Sequence, residues 1–166
     1  MYEIDDPMID AAERAAPSPT EVLWRTHADE LLRFATVLVG PSDAPDIVTD
    51  AFMRSETVLG SGTITNARAY LFRAVTNHAH DLRRSRERRW KRDLAAVGPA
   101  SSAAPDSHVD VRRAVSALSV QQRAVVYLAY WEDLPERGIA DVLRMSPGSV
   151  RRHLSRARRH LRKALS

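Results

Sequence analysis

The stretch DLPERGIADVLRMSPGSVRRHLSRARRHLRKALS, residues 133–166, decides the fold. It reads as a short helix from Glu136 to Arg144, a tight turn, and a second helix that is apolar on one side and basic on the other. At about 100° per residue, Val150, Leu154, Ala157, Leu161 and Leu165 share one narrow arc and are expected to be buried. Arg152, Arg156, Arg159 and Lys163 fall on the opposite arc, with Arg151, Ser155 and Arg162 between. A helix buried along one side and lined with guanidinium groups on the other suits contact with a polyanion. Ser146 fits the N-cap of this helix, and Pro147 its first position, where no donor is missed. Gly148 and Ser149 are small enough to let a phosphate approach the helix N-terminus. Taken alone, the second helix also fits an ordinary surface helix with a solvated basic face. The helix before it argues against that, because the pair makes a helix-turn-helix.

Working outward, every periodic segment is helical. Residues 1–19 are acidic, end in Pro17-Ser18-Pro19, and are expected to form a disordered tail. Thr20 is a candidate N-cap for a helix reaching about Val39, with Trp24, His27, Ala28, Leu31, Ala35 and Leu38 on one face and Gly40-Pro41 as its stop. On that stripe His27 fits a core or boundary histidine better than a ligand. A second helix opens at Asp46 and runs to about Leu59, turning Ile47, Val48, Ala51, Phe52 and Val58 inward. A loop at Gly60–Thr65 precedes a third helix, which starts near Asn66 and reaches about Arg92. Small residues and prolines over 97–107 mark a linker. Beyond it the pattern predicts a helix over about 109–118, one capped by Ser119, and the helix-turn-helix. The expected fold is all-α: two small helical domains, 20–92 and 109–166, joined by a flexible linker at 93–108, with the helix-turn-helix at the C-terminal end.

Composition narrows the function. The chain has 166 residues, 44% of them hydrophobic, and 25 Lys+Arg against 21 Asp+Glu. Positive charge is concentrated at 83–92 (RRSRERRWKR) and 151–163, which points to nucleic acid at particular surfaces. With no cysteine, disulfides, thiolate chemistry and cysteine-ligated zinc are excluded. No apolar run approaches the roughly 20 residues that span a bilayer, and the acidic N-terminus is unlike a signal peptide, so a cytoplasmic protein without membrane insertion is expected. No phosphate-binding loop, metal-ligand spacing or nucleophile elbow occurs; no cofactor, metal or catalytic residue is expected, and an enzyme reading has nothing to rest on.

The third helix carries a second polar face. Leu71, Val75, His78 and Leu82 form its expected buried stripe, while Asn77, Asp81, Arg84 and Arg88 recur on another side. An asparagine amide can pair with a base edge, arginines grip phosphates, and Tyr70, Phe72 and Trp90 are candidate stacking surfaces for unpaired bases. From the residues alone, this face fits local polar satisfaction and solvated arginines equally well.

Three segments in order resemble one family. DAPDIVTDAFMRSE (Asp43–Glu56), NARAYLFRAVTNHAHDLRRSRERR (Asn66–Arg89) and LSVQQRAVVYLAYWEDLPERGIADVLRMSPGSVRRHLSRARRHL (Leu118–Leu161) resemble the extracytoplasmic function (ECF) alternative sigma factors of bacterial RNA polymerase. The resemblance covers roughly 21–92 and 109–165. It implies a promoter-specificity subunit that binds core polymerase and recognises a two-part promoter, without chemistry of its own. By this resemblance the first segment docks on the clamp helices of the largest polymerase subunit through Asp46, Thr49, Asp50 and Arg54. The second reads the −10 element through Asn77, Asp81, Arg84, Arg88 and Tyr70, with the Gly60–Thr65 loop helping to form the base pocket. The third enters the −35 major groove with Ser149, Arg151, Arg152, Ser155 and Arg156 and meets the flap of the second-largest subunit. An anti-sigma factor is a further candidate partner, because many members are held inactive by one. Thr49-Asp50 replaces the family's usual Gln-Glu, Tyr70 its usual Trp, and Arg137-Gly138 its usual acidic pair. The competing reading is a stand-alone helix-turn-helix regulator.

Overall fold

The computed structural model describes residues 17–94 and 107–165, all helix and connecting turns, with no strand among them. Seven helices follow one another: α1 (Pro19–Val39), α2 (Ala44–Gly60), α3 (Ala67–Leu94), α4 (Ser107–Ser116), α5 (Val120–Tyr130), α6 (Glu136–Leu143) and α7 (Pro147–Leu165). The acidic segment 1–16 and most of the expected linker, 95–106, lie outside the described residues. The helices α3 and α4 each extend a residue or two into the stretch assigned to that linker.

Local chemistry explains most boundaries. Ser18, not Thr20, caps α1: its hydroxyl accepts from the Glu21 amide at 3.1 Å, and Pro19 takes the first helical position. Gly40, at φ 93, ends α1 in a conformation that costs a glycine little, and its amide donates to the Thr36 carbonyl at 2.9 Å. Asn66 caps α3 by accepting from the Ala69 amide at 2.9 Å. Ser119 and Gln122 form a reciprocal capping box on α5.

The helices α1, α2 and α3 pack as a three-helix group around Leu31, Ala35, Leu38, Phe52, Leu71 and Val75. The helices α4–α7 gather around Val125, Leu128, Ile139, Val150 and Leu154. Burying each of the Val, Leu, Ile and Phe side chains among these contributes about 1.5–3 kcal/mol. Beyond the sequence expectation, the two groups also pack on each other. Phe34 of α1, absent from the expected stripe, is fully buried with its ring 4.8 Å from Phe72 and 5.1 Å from Tyr127 of α5. The Arg68 guanidinium stacks over Phe72, donates to Glu30 Oε1 at 3.1 Å and to Glu30 Oε2 at 2.9 and 2.8 Å, and reaches Glu132 beyond α5. Arg123 of α5 donates to the carbonyls of Ser116 at 2.9 Å and Leu118 at 3.1 Å, and across the boundary to the Leu38 carbonyl at the end of α1.

Several expected burials are not met: on α3, His78 and Leu82 of the expected buried stripe are only half-buried. Val58 lies on the exposed side of α2, 37% accessible. On α7 the stripe is covered only as far as Ala157; Leu161 is half-buried and Leu165 is 52% accessible, because the helix runs past the elements that could cover it.

Candidate nucleic-acid interface

The first candidate surface lies on α3. Asn77, Asp81, Arg84 and Arg88 are exposed, whereas Tyr70 is half-buried near the start of the helix. Asn77 and Tyr70 line one cleft of about 180 Å³ together with Arg54 and Ser55 of α2 and Arg73, Ala74 and His78 of α3. The Arg73 guanidinium sits 5.2 Å from the Tyr70 ring centroid, so the cleft combines an aromatic wall with two cations and a side-chain amide. Burial, and secondly Arg144, lower the Arg73 pKa from its usual value. Burial and then Arg54 lower the His78 pKa, against the opposing pull of Asp50 and Asp81. The imidazole is therefore neutral near pH 7, with a donor and an acceptor nitrogen. An unpaired base could stack on such a wall while its edge meets an amide.

Asp81, Arg84 and Arg88 lie further along α3 and do not line this cleft; neither does any residue of the Gly60–Thr65 loop. Sequence reasoning placed His78 on the buried stripe and gave Arg54 only a polymerase role, yet both border the cleft. The i, i+4 spacing of Ala74 and His78 put them on one side of α3; what the sequence could not provide was the position of α2 opposite.

The second surface is the helix-turn-helix. Arg144 ends α6 in the left-handed region, at φ 49 and ψ 53, which makes the turn sharp. Ser146 then caps α7 by accepting from the Ser149 amide at 3.1 Å. Val150, Leu154 and Ala157 seat α7 on its neighbours and leave Arg151, Arg152, Ser155 and Arg156 exposed along its first turns. Ser149 is half-buried and locally engaged: its hydroxyl meets Ser146 Oγ at 3.0 Å and accepts from Arg152 at 3.0 Å. Arg151 pairs with Glu136 at 3.2 Å across the turn. Burial, then Arg156, Arg152 and His80, lower the His153 pKa.

The third surface is α2. Asp46, Thr49, Asp50 and Arg54 are all exposed, with Met53 among them at 69% accessibility, while Ile47 and Val48 are buried.

Residues 108–161 match the family described as Sigma-70, region 4. The chain is 33% identical over 149 residues to the RNA polymerase sigma-E factor of Streptomyces coelicolor, covering 85% of this chain and 82% of that protein. It is 30% identical over 168 residues to the ECF RNA polymerase sigma factor SigL of Mycobacterium tuberculosis, covering 95% and 94%. The chain belongs to the ECF sigma factors. It therefore directs promoter-specific transcription initiation with RNA polymerase, and the stand-alone regulator reading falls. Two solved structures share the fold of this sigma factor. One is the Bartonella quintana sigma factor RpoE in complex with the anti-sigma factor NepR: TM-score 0.68, 22% identity, 87% of this chain and 94% of that one. The other is CnrH in complex with the cytosolic domain of CnrY: TM-score 0.64, 24% identity, 98% and 97%.

Proposed function

We propose that this sigma factor divides its work among the three surfaces just described. The exposed side of α2, with Asp46, Thr49, Asp50 and Arg54, docks on the clamp helices of the largest polymerase subunit. The cleft beside Asn77 captures an unstacked −10 base, while Asp81, Arg84 and Arg88 track the strand along α3. Ser155 and the arginines at 151, 152 and 156 read the −35 major groove, and Ser149 sets Arg152 by accepting its hydrogen bond. The flap of the second-largest subunit covers the apolar hollow of about 600 Å³ lined by Val126, Tyr130, Leu161 and Leu165. That docking would give the uncovered end of the α7 stripe a partner. No bond is made or broken by the sigma factor itself, which acts in the cytoplasm.

The observation that carries this reading is the cleft. A side-chain amide, an aromatic ring and two guanidinium groups meet in one space of roughly a single base. Opening a base step costs about 1.4 kcal/mol of stacking, and capture of one base offsets part of it. An anti-sigma factor fits as a further partner, since the RpoE relative was solved in complex with the anti-sigma factor NepR.

The test is transcription reconstituted with core polymerase. Asn77→Ala should leave helicity and core binding unchanged, slow promoter opening, and relax preference at one −10 base. Unaltered opening and base preference would reject the cleft assignment.

A further inference from the structure

Three guanidinium groups border one cleft. Arg83 and Arg86 come from α3 and Arg123 from α5, with Leu38, Leu82 and Val120 as apolar wall, around a volume of about 200 Å³. No carboxylate lines it. Arg83 Nη1 and Arg123 Nε both donate to one acceptor, the Leu118 carbonyl oxygen, at 3.2 and 3.1 Å. Two like charges are thus drawn together over a neutral oxygen, which offsets little of their repulsion. Burial first, and Arg83 second, hold the Arg123 pKa below its usual value, yet an arginine in a protein stays protonated.

Counter-charge is scarce. Arg83 Nε donates to Glu87 at 3.0 Å, and Arg86 Nη2 donates to Asp43 at 2.7 Å. Arg123 bonds only backbone carbonyls, those of Leu118, Ser116, Leu38 and Val37. Three cations therefore meet two carboxylates, and one positive charge is left over. Arg83 Nη2 and Arg86 Nη1 have no partner among the described residues, so N–H donors remain for a ligand. A net positive cleft with apolar walls and spare donors suits an oxyanion that takes bonds from several guanidinium groups at once. Its volume lies below the roughly 300–1,000 Å³ of sites for drug-sized ligands, and a duplex is too wide to enter it. These limits select a small, multiply charged phosphate rather than a nucleotide or a DNA strand.

We propose that this cleft binds a small polyphosphate anion of the pyrophosphate class, held between Arg83, Arg86 and Arg123. The anion supplies the charge that the Arg83–Arg123 pair lacks, and it ties α3 to α5. The site shares no residue with the Asn77 cleft or with the reading face of α7, and it stands independently of the promoter reading.

The probe is inorganic pyrophosphate, titrated calorimetrically into the full-length chain at fixed ionic strength. One saturable site per chain is expected, together with a rise in Tm that grows with the anion. Arg83→Gln and Arg86→Gln should each weaken pyrophosphate by about tenfold or more, the measure of a lost charge-assisted hydrogen bond. These side chains are 41% and 56% exposed, so the exchange should leave the fold intact, and far-UV circular dichroism checks this. Arg86→Lys keeps the charge and should retain most of the affinity. Arg152→Gln with Arg156→Gln, on α7, should leave pyrophosphate binding unchanged. Absence of binding at millimolar pyrophosphate would overturn the site. So would binding that survives both α3 variants and is lost with Arg152 and Arg156.

Discussion

Gly138→Ala should stabilise the protein. Gly138 occupies the third position of α6, where the sigma factor has a glycine and helical geometry needs none. A Cβ built there would meet Pro135 Cδ at 3.5 Å, Pro135 Cγ at 3.6 Å and Leu134 Cβ at 3.8 Å. These are ordinary van der Waals separations, so no neighbour has to move. The gain is the helix preference of alanine over glycine, about 1 kcal/mol in a helix interior, and about 0.5–1 kcal/mol in this first turn. It arises largely in the unfolded chain, whose freedom at this position falls. For a chain of this size, about 1 kcal/mol shifts Tm by roughly 2–4 °C, so a rise of about 1–4 °C is expected. Differential scanning calorimetry reads it directly, and the −35 preference should not change because Gly138 is not on the reading face. A fall in Tm would refute the reasoning, showing that Pro135 and Leu134 resist the added methyl.

Phe34→Ala removes a fully buried ring that touches Phe72 and Tyr127, and should cost about 3–5 kcal/mol, read as a lowered denaturation midpoint. Arg152→Ala and Arg156→Ala should each cost roughly 1–3 kcal/mol at one −35 base and relax discrimination there in a promoter-library assay. Arg159→Ala, further along α7, should weaken all sequences alike and lower the salt slope by about one unit. Stability should also fall in mild acid. His78 and His153 are both held below the ordinary value of 6.5, chiefly by burial. The unfolded chain therefore takes up these protons first; the effect is nil well above about pH 6.5 and grows as pH drops through it. Urea midpoints at about pH 7.5 and about pH 5.5 should show the loss, and a His153→Gln variant should reduce it.

The helices were legible because their apolar residues repeat at the helical period and serines, prolines and glycines punctuate them. Ser119, Ser146 and Pro147 do what their chemistry suggests. The same periodicity misled at Leu161 and Leu165, where the pattern continues but the covering elements stop. Phe34 was missed because its burial depends on α5, which is remote in sequence. At the candidate site, the exposure of Asn77 followed from the wheel of α3. The participation of Arg54 and His78 did not, since a cleft between two helices is a property of their packing angle rather than of either sequence.

Arg123 has an evolutionary consequence. Its guanidinium holds backbone oxygens at the ends of two helices, Leu38 on α1 and Ser116 and Leu118 around the end of α4. Every peptide offers the same oxygen, so the tie itself sets no side-chain identity at 38, 116 and 118, although packing still requires an apolar residue at 38 and 118. Methods that infer contacts from paired substitutions are blind to a bond of this kind. Relatives could therefore keep this joint with no correlated change at the positions it connects.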